Sequence, residues 1–81
     1  MLEYWPYATN NAKDFCPNDE VACVYCRKIY TANSLPKIGN ELVCKYCPVD
    51  AIVIVSKSPL NGLTKPEQQE LLAKWHKEGF N

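Results

Sequence analysis

The rhythm of apolar and polar positions changes several times along the chain, and each change marks an expected element. Residues 1–22 show neither a helical nor an alternating period. Tyr4, Trp5 and Tyr7 crowd around Pro6, while Asn10-Asn11 and Pro17-Asn18-Asp19 read as turns. This stretch is expected to be an extended aromatic arm. From Arg27 to Thr31 the β-branched and aromatic content predicts a strand. Ala32 to Lys37 reads as a loop, with Pro36 opposing regular pairing, and Gly39-Asn40 as a turn. Glu41-Leu42-Val43 then leads back as a second strand.

Beyond that hairpin, Ile52-Val53-Ile54-Val55 sets four β-branched residues in a row, the mark of a buried strand. One helical turn over 48–51 is expected to precede it. Pro48 suits the first helical position, and Asp50 suits the positive end of the dipole. Ser58 to Gly62 reads as a loop. The clearest element is a helix from Thr64 to Glu78, opened by a Thr64/Glu67 capping box with Pro66 in its first turn. Leu71, Leu72 and Trp75 form its apolar stripe. Gly79 stands where a left-handed cap would end the helix, which would let Phe80 touch Trp75.

The chemistry lies between these elements. Cys23-Val24-Tyr25-Cys26 and Cys44-Lys45-Tyr46-Cys47 bracket seventeen residues. In a Cys-x-x-Cys one tight turn aims two sulfurs at a single point, and two such turns can close a tetrahedral four-thiolate site. Cys23, Cys26, Cys44 and Cys47 are therefore expected to bind one structural Zn²⁺. Cys16 and His76 are left outside that set, because four sulfurs already complete the shell. Turn, strand, loop, strand, turn is the zinc-ribbon plan, whereas a cysteine pair at a helix N-terminus is the treble-clef arrangement. The expected fold is a small zinc-stabilised α+β domain between the two, over 23–81, preceded by the arm over 1–22.

Length and charge sharpen that picture. A chain of 81 residues buries only about 60% of its unfolded surface. Structural zinc contributes roughly 10–16 kcal/mol of apparent binding free energy to folding. The metal is thus expected to be a condition of folding. Nine basic and nine acidic residues balance, and four thiolates around Zn²⁺ add a net −2, so the basic excess of a nucleic-acid binder is missing. Locally, however, Arg27, Lys28, Lys37 and Lys45 face only Glu41 within 23–47. No apolar run reaches the ~20 residues of a membrane span. The first residues lack the basic start and apolar core of a signal peptide. Five cysteines in such a chain fit a reducing compartment. The cytoplasm, or a virion assembled in it, is the expected location.

The stretch Val43-Cys44-Lys45-Tyr46-Cys47-Pro48-Val49-Asp50-Ala51-Ile52-Val53 resembles a group of very small, largely uncharacterised bacterial and phage proteins. In that group a C-P-x-C-G-[IV]-D-[AS]-V-[IL] pattern follows an upstream Cys-x-x-Cys, and a short helix ending near an aromatic comes next. The likeness covers about residues 23–80 and departs from the group at Pro48, where a glycine is usual. It implies a zinc-binding fold and supplies no activity.

Three functions remain open. The first is a non-enzymatic interaction module in a larger protein assembly, anchored by Tyr4, Trp5 and Tyr7 or by a Trp75/Phe80 edge, since aromatics are typical anchors. Those arm aromatics could instead fold back over a thin core of their own. The second is a nucleic-acid or transcription accessory using Arg27, Lys28, Lys37 and Lys45 with Tyr25, Tyr30 and Tyr46. The third is a rubredoxin-like electron carrier, disfavoured by the missing knuckle glycines. Hydrolysis would need an open zinc position, and no small-molecule substrate is evident.

Overall fold

The computed structural model describes residues 2–80. Its centre is a strand at the end of the supposed arm. β1 (Glu20–Cys23) lies between β2 (Ile29–Thr31) and β5 (Ile52–Ile54), antiparallel to both. Val21 pairs with Tyr30 on one side and Ile54 on the other. A second, two-stranded sheet joins β3 (Lys37–Ile38) to β4 (Glu41–Leu42) across a turn in which Gly39 has φ +61°. One long helix, α2 (Lys65–Phe80), ends the described chain.

Side chains alternate across a strand, and here the alternation feeds two cores. Val21, Cys23, Ile52 and Ile54 point to one face and pack with Ala32, Leu35, Leu42 and Cys44. Ala22, Val24, Val53 and Val55 serve the other face, with Leu60, Leu72 and Trp75. The run 52–55 is apolar throughout because both faces of β5 are buried. As expected, β5 is a strand, although Val55 already begins a short 3-10 turn over Val55–Lys57.

The first 22 residues differ from the expected extended arm. They contain a short helix α1 (Trp5–Ala8), a 3-10 turn at Ala12–Asp14 and most of β1. Tyr4 and Ala8 enter the helix-side core. Asn11 donates through Nδ2 to the Ile52 carbonyl at 2.8 Å and to that of Tyr7 at 3.1 Å. Thr9 Oγ1 donates to Glu41 Oε1 at 2.8 Å, and the Ala12 amide to the Asn40 carbonyl at 3.0 Å. A boundary between residues 22 and 23 would cut through β1. Local pattern missed this segment because its order comes from distant partners, and β1 is too short to show a period.

The expected hairpin between 27–31 and 41–43 is replaced by two others. Glu20-Val21-Ala22 offers β2 a partner joined to it by one tight turn, and β4 pairs instead with β3. Pro36 lacks an N–H, but its carbonyl still accepts the Val43 amide at 2.9 Å. Residues 48–51 form no helical turn. Pro48 centres a three-residue turn closed by the Val49 amide on the Cys47 carbonyl at 2.6 Å. The chain must extend at once, because the Ala51 carbonyl accepts the Val24 amide at 2.9 Å.

In α2 the capping box is formed. The Thr64 amide donates to Glu67 Oε1 at 2.9 Å and the Glu67 amide to Thr64 Oγ1 at 3.4 Å. The helix runs through Gly79 to Phe80 instead of stopping at Glu78. Gly79 is therefore no cap. Phe80 stacks on Tyr4 with ring centroids 6.3 Å apart and meets Tyr25 edge-on at 5.2 Å.

Candidate metal centre

The first cysteine turn begins where β1 ends. The Cys23 amide donates to the Lys28 carbonyl at 3.0 Å and the Arg27 amide to the Cys23 carbonyl at 2.7 Å. Closing so tight a loop puts Arg27 at φ +62°. A side chain there carries a penalty of about 1–2 kcal/mol that glycine avoids. Arg27 thus adopts the left-handed backbone that glycine usually supplies after a second cysteine. The Cys26 amide can then approach Cys23 Sγ at 3.5 Å. In the second turn the Tyr46 amide points at Cys44 Sγ at 3.4 Å, and Pro48, locked at negative φ, turns the chain away.

These two turns bring Cys23, Cys26, Cys44 and Cys47 together, with their sulfurs all within 4.8 Å of one another. Contacts across the turns are 3.5 Å for Cys23 to Cys47 and 3.8 Å for Cys26 to Cys44. A tetrahedral ion with metal–sulfur bonds near 2.3 Å places its sulfurs about 3.8 Å apart. The cluster fits such an ion, and all four thiols are free. Cys23 and Cys44 are buried, Cys26 and Cys47 half-buried. The arrangement can hold a metal ion.

The sulfurs are not equivalent. Burial works to raise the Cys44 thiol, but the Tyr30 hydroxyl and the amides of Cys47 and Tyr46 outweigh it, bringing the thiol down to about 7. Burial pushes Cys47 up to about 11 and holds Cys23 higher still. Binding a cation would displace those protons, since the thiolate is the ligand. The sequence pattern marks Tyr30 only as a strand and stacking residue. In the fold its hydroxyl donates to Cys44 Sγ at 3.5 Å and accepts the Lys45 amide at 3.3 Å. Burial, then the Cys44 contact, raises the Tyr30 phenol above its usual range. No sequence spacing announces this role.

Over the second turn lies a basic and aromatic surface. Tyr46 and Tyr30 pack edge to face, 4.9 Å apart and at 87°. The Lys28 ammonium sits 4.6 Å from the Tyr46 centroid and that of Lys45 5.3 Å from it.

The other candidates separate. Tyr4 and Trp75 are 2% and 0% exposed, so they are core residues and cannot serve as surface anchors. The Trp75 indole donates to Glu3 Oε1 at 3.2 Å. Phe80 is half-buried against Tyr4 and Tyr25. Trp5 and Tyr7 remain exposed, at 42% and 37%. Cys16 is exposed and outside the cluster, while His76 lies half-buried beside Tyr25 and Phe80. A shallow depression lined by Leu63, Glu67, Glu70, Leu71 and Lys74 shares no residue with the cysteines.

In comparisons with protein-family models, curated proteins and solved structures, nothing matches this chain. Among the described residues, no helix is long and apolar enough to cross a membrane.

Proposed function

We propose that the chain is a non-enzymatic module stapled by one structural Zn²⁺ on Cys23, Cys26, Cys44 and Cys47. It acts as a small subunit that docks on a larger protein assembly, such as a viral or phage particle. The observation that carries this reading is the convergence of four sulfurs within 4.8 Å. Four thiolates fill every position of a tetrahedral ion, whereas catalytic zinc keeps one open.

A rubredoxin-like iron centre would take the same four sulfurs, two of which accept backbone amides here, from Cys26 at 3.5 Å and from Tyr46 at 3.4 Å, so metal analysis decides between iron and zinc. Docking is assigned to Trp5 and Tyr7, the exposed aromatics of α1. Four reduced thiols suit the cytoplasm or a virion assembled there.

Metal analysis of untreated protein tests the first half and should give one zinc per chain, lost in Cys44→Ser. Near-stoichiometric iron would replace the zinc reading with an electron carrier. Native affinity purification tests the second half. A Trp5→Ala/Tyr7→Ala double variant should fold and lose its partners, and retained association would remove α1 as the docking face.

A further inference from the structure

The cysteines account for the fold but leave the surface over the second knuckle unexplained. There the Tyr46 side chain is 54% exposed, a cost to a structural module that nothing in the metal site requires. Its position is fixed from below. Tyr30 packs edge-on beneath it, and Tyr30 is itself tethered through its hydroxyl to Cys44 Sγ and the Lys45 amide. The ring stands on a platform tied to the metal cluster.

Two ammonium groups border this platform, those of Lys28 after the first knuckle and Lys45 within the second, and Arg27 immediately precedes Lys28 in the chain; all three residues are exposed. Among the described residues the ion pairs are Lys65–Glu20 and Lys74–Glu3, so none of these three is paired with a carboxylate. The ammonium groups of Lys28 and Lys45 rest instead near the tyrosine rings. An exposed contact of that kind is weaker than a nucleobase stacked on the same ring. A lysine that leaves the ring for a phosphate frees the face for a base, so both exchanges favour the complex.

We infer that the Tyr46 face, with Tyr30, Arg27, Lys28 and Lys45, binds single-stranded nucleic acid. Stacking on an aromatic side chain needs unstacked bases, which a duplex does not offer. An acidic peptide would satisfy the lysines but leave the Tyr46 ring without a partner. With a divalent ion on four thiolates the cluster carries −2 against these three positive charges, so the local excess is small. Binding is accordingly weak, short in footprint and confined to low salt. Three phosphate contacts set a slope of log affinity on log salt near −2, at about −0.7 per contact.

This surface extends the docking role and does not depend on which protein the chain docks to. The test is fluorescence anisotropy of a labelled oligothymidylate of about ten nucleotides, titrated with metal-loaded protein at low salt. Saturable binding is expected, weaker for a duplex of equal length. Tyr46→Leu should reduce affinity roughly tenfold, and Lys28→Ala should flatten the salt slope by about 0.7. Metal content and a melt are recorded for each protein. A chain without metal would then count against the zinc module, and a folded, loaded chain that does not bind would count against this surface. Lys28 lies outside both cysteine pairs, so its variant decides the matter even if Tyr46→Leu disturbs the knuckle. Binding unchanged in both variants, or displaced equally well by polyglutamate, would overturn the proposal.

Discussion

Tyr4 occupies the space that a side chain at Gly79 would need. A Cβ added at Gly79 would overlap the Tyr4 hydroxyl and lie 3.0 Å from ring atom Cε1. The glycine allows the last turn of α2 to close over the buried tyrosine. Gly79→Ala should therefore destabilise the protein by about 1–2 kcal/mol, as overpacking does, despite the better helix propensity of alanine. In a Tyr4→Phe background the same change should cost less, because the nearest atom is gone. Denaturant melts of the four proteins in this cycle measure the coupling, and additive effects would contradict the contact.

Aromatic residues of the N-terminal segment should divide by burial. Tyr4→Ala opens a cavity in the core shared with Trp75 and is expected to cost about 3 kcal/mol or more. Trp5→Ala and Tyr7→Ala should each stay within about 0.5 kcal/mol. Thermal melts of the three single variants check this. Deleting residues 1–12 removes Tyr4, Ala8 and the Asn11 bond to the Ile52 carbonyl together, so it should lower stability by a few kcal/mol at least.

Glu3 gives the fold an acid-side sensitivity. The Trp75 indole N–H, then the Lys74 ammonium, hold its carboxyl below the ordinary value of 4.5. A depressed carboxyl stabilises fully above the unfolded value and loses that contribution as pH falls through its lower folded value. Glu3→Gln should therefore melt below the parent protein at neutral pH. The gap should close as pH falls from neutral through and below the ordinary carboxyl value of 4.5. A gap independent of pH would show that the carboxylate charge is not what matters.

Removing the ion should do more than any of these substitutions. Metal binding at roughly 10–16 kcal/mol exceeds the margin a domain of this size gains from packing. Chelation, or Cys44→Ser, should abolish the dispersed amide NMR spectrum. Cys16→Ser and His76→Ala should leave metal content and spectrum intact, since neither side chain belongs to the cluster. A spectrum unchanged by complete chelation would mean that the hydrophobic cores suffice alone.

How legible these features were depended on how local their causes are. Each Cys-x-x-Cys is a single turn, and the Thr64/Glu67 box is three residues apart, so both could be read from spacing. β5 showed itself through four consecutive β-branched residues. β1 did not, because Glu20-Val21-Ala22-Cys23 is short and mixed, and its order comes from strands that lie beyond it in the chain. Tyr4 was ambiguous for a different reason. An aromatic near one end of a sequence can cover its own core or a partner, and the choice rests on a missing Cβ at residue 79. Pro48 is ambiguous as well, because its fixed φ suits a helix start and a three-residue turn alike.

Alternation along β1 has one further consequence. Cys23 faces the cysteine cluster, while Ala22 and Val24, its neighbours in sequence, face Trp75. Sliding β1 by a single residue would turn Cys23 toward the helix and carry its sulfur out of reach of the other three. The free energy of metal binding is then available to one strand alignment and withheld from its slipped competitors. A bound ion would act as a proofreader of pairing in a sheet whose strands are only three or four residues each.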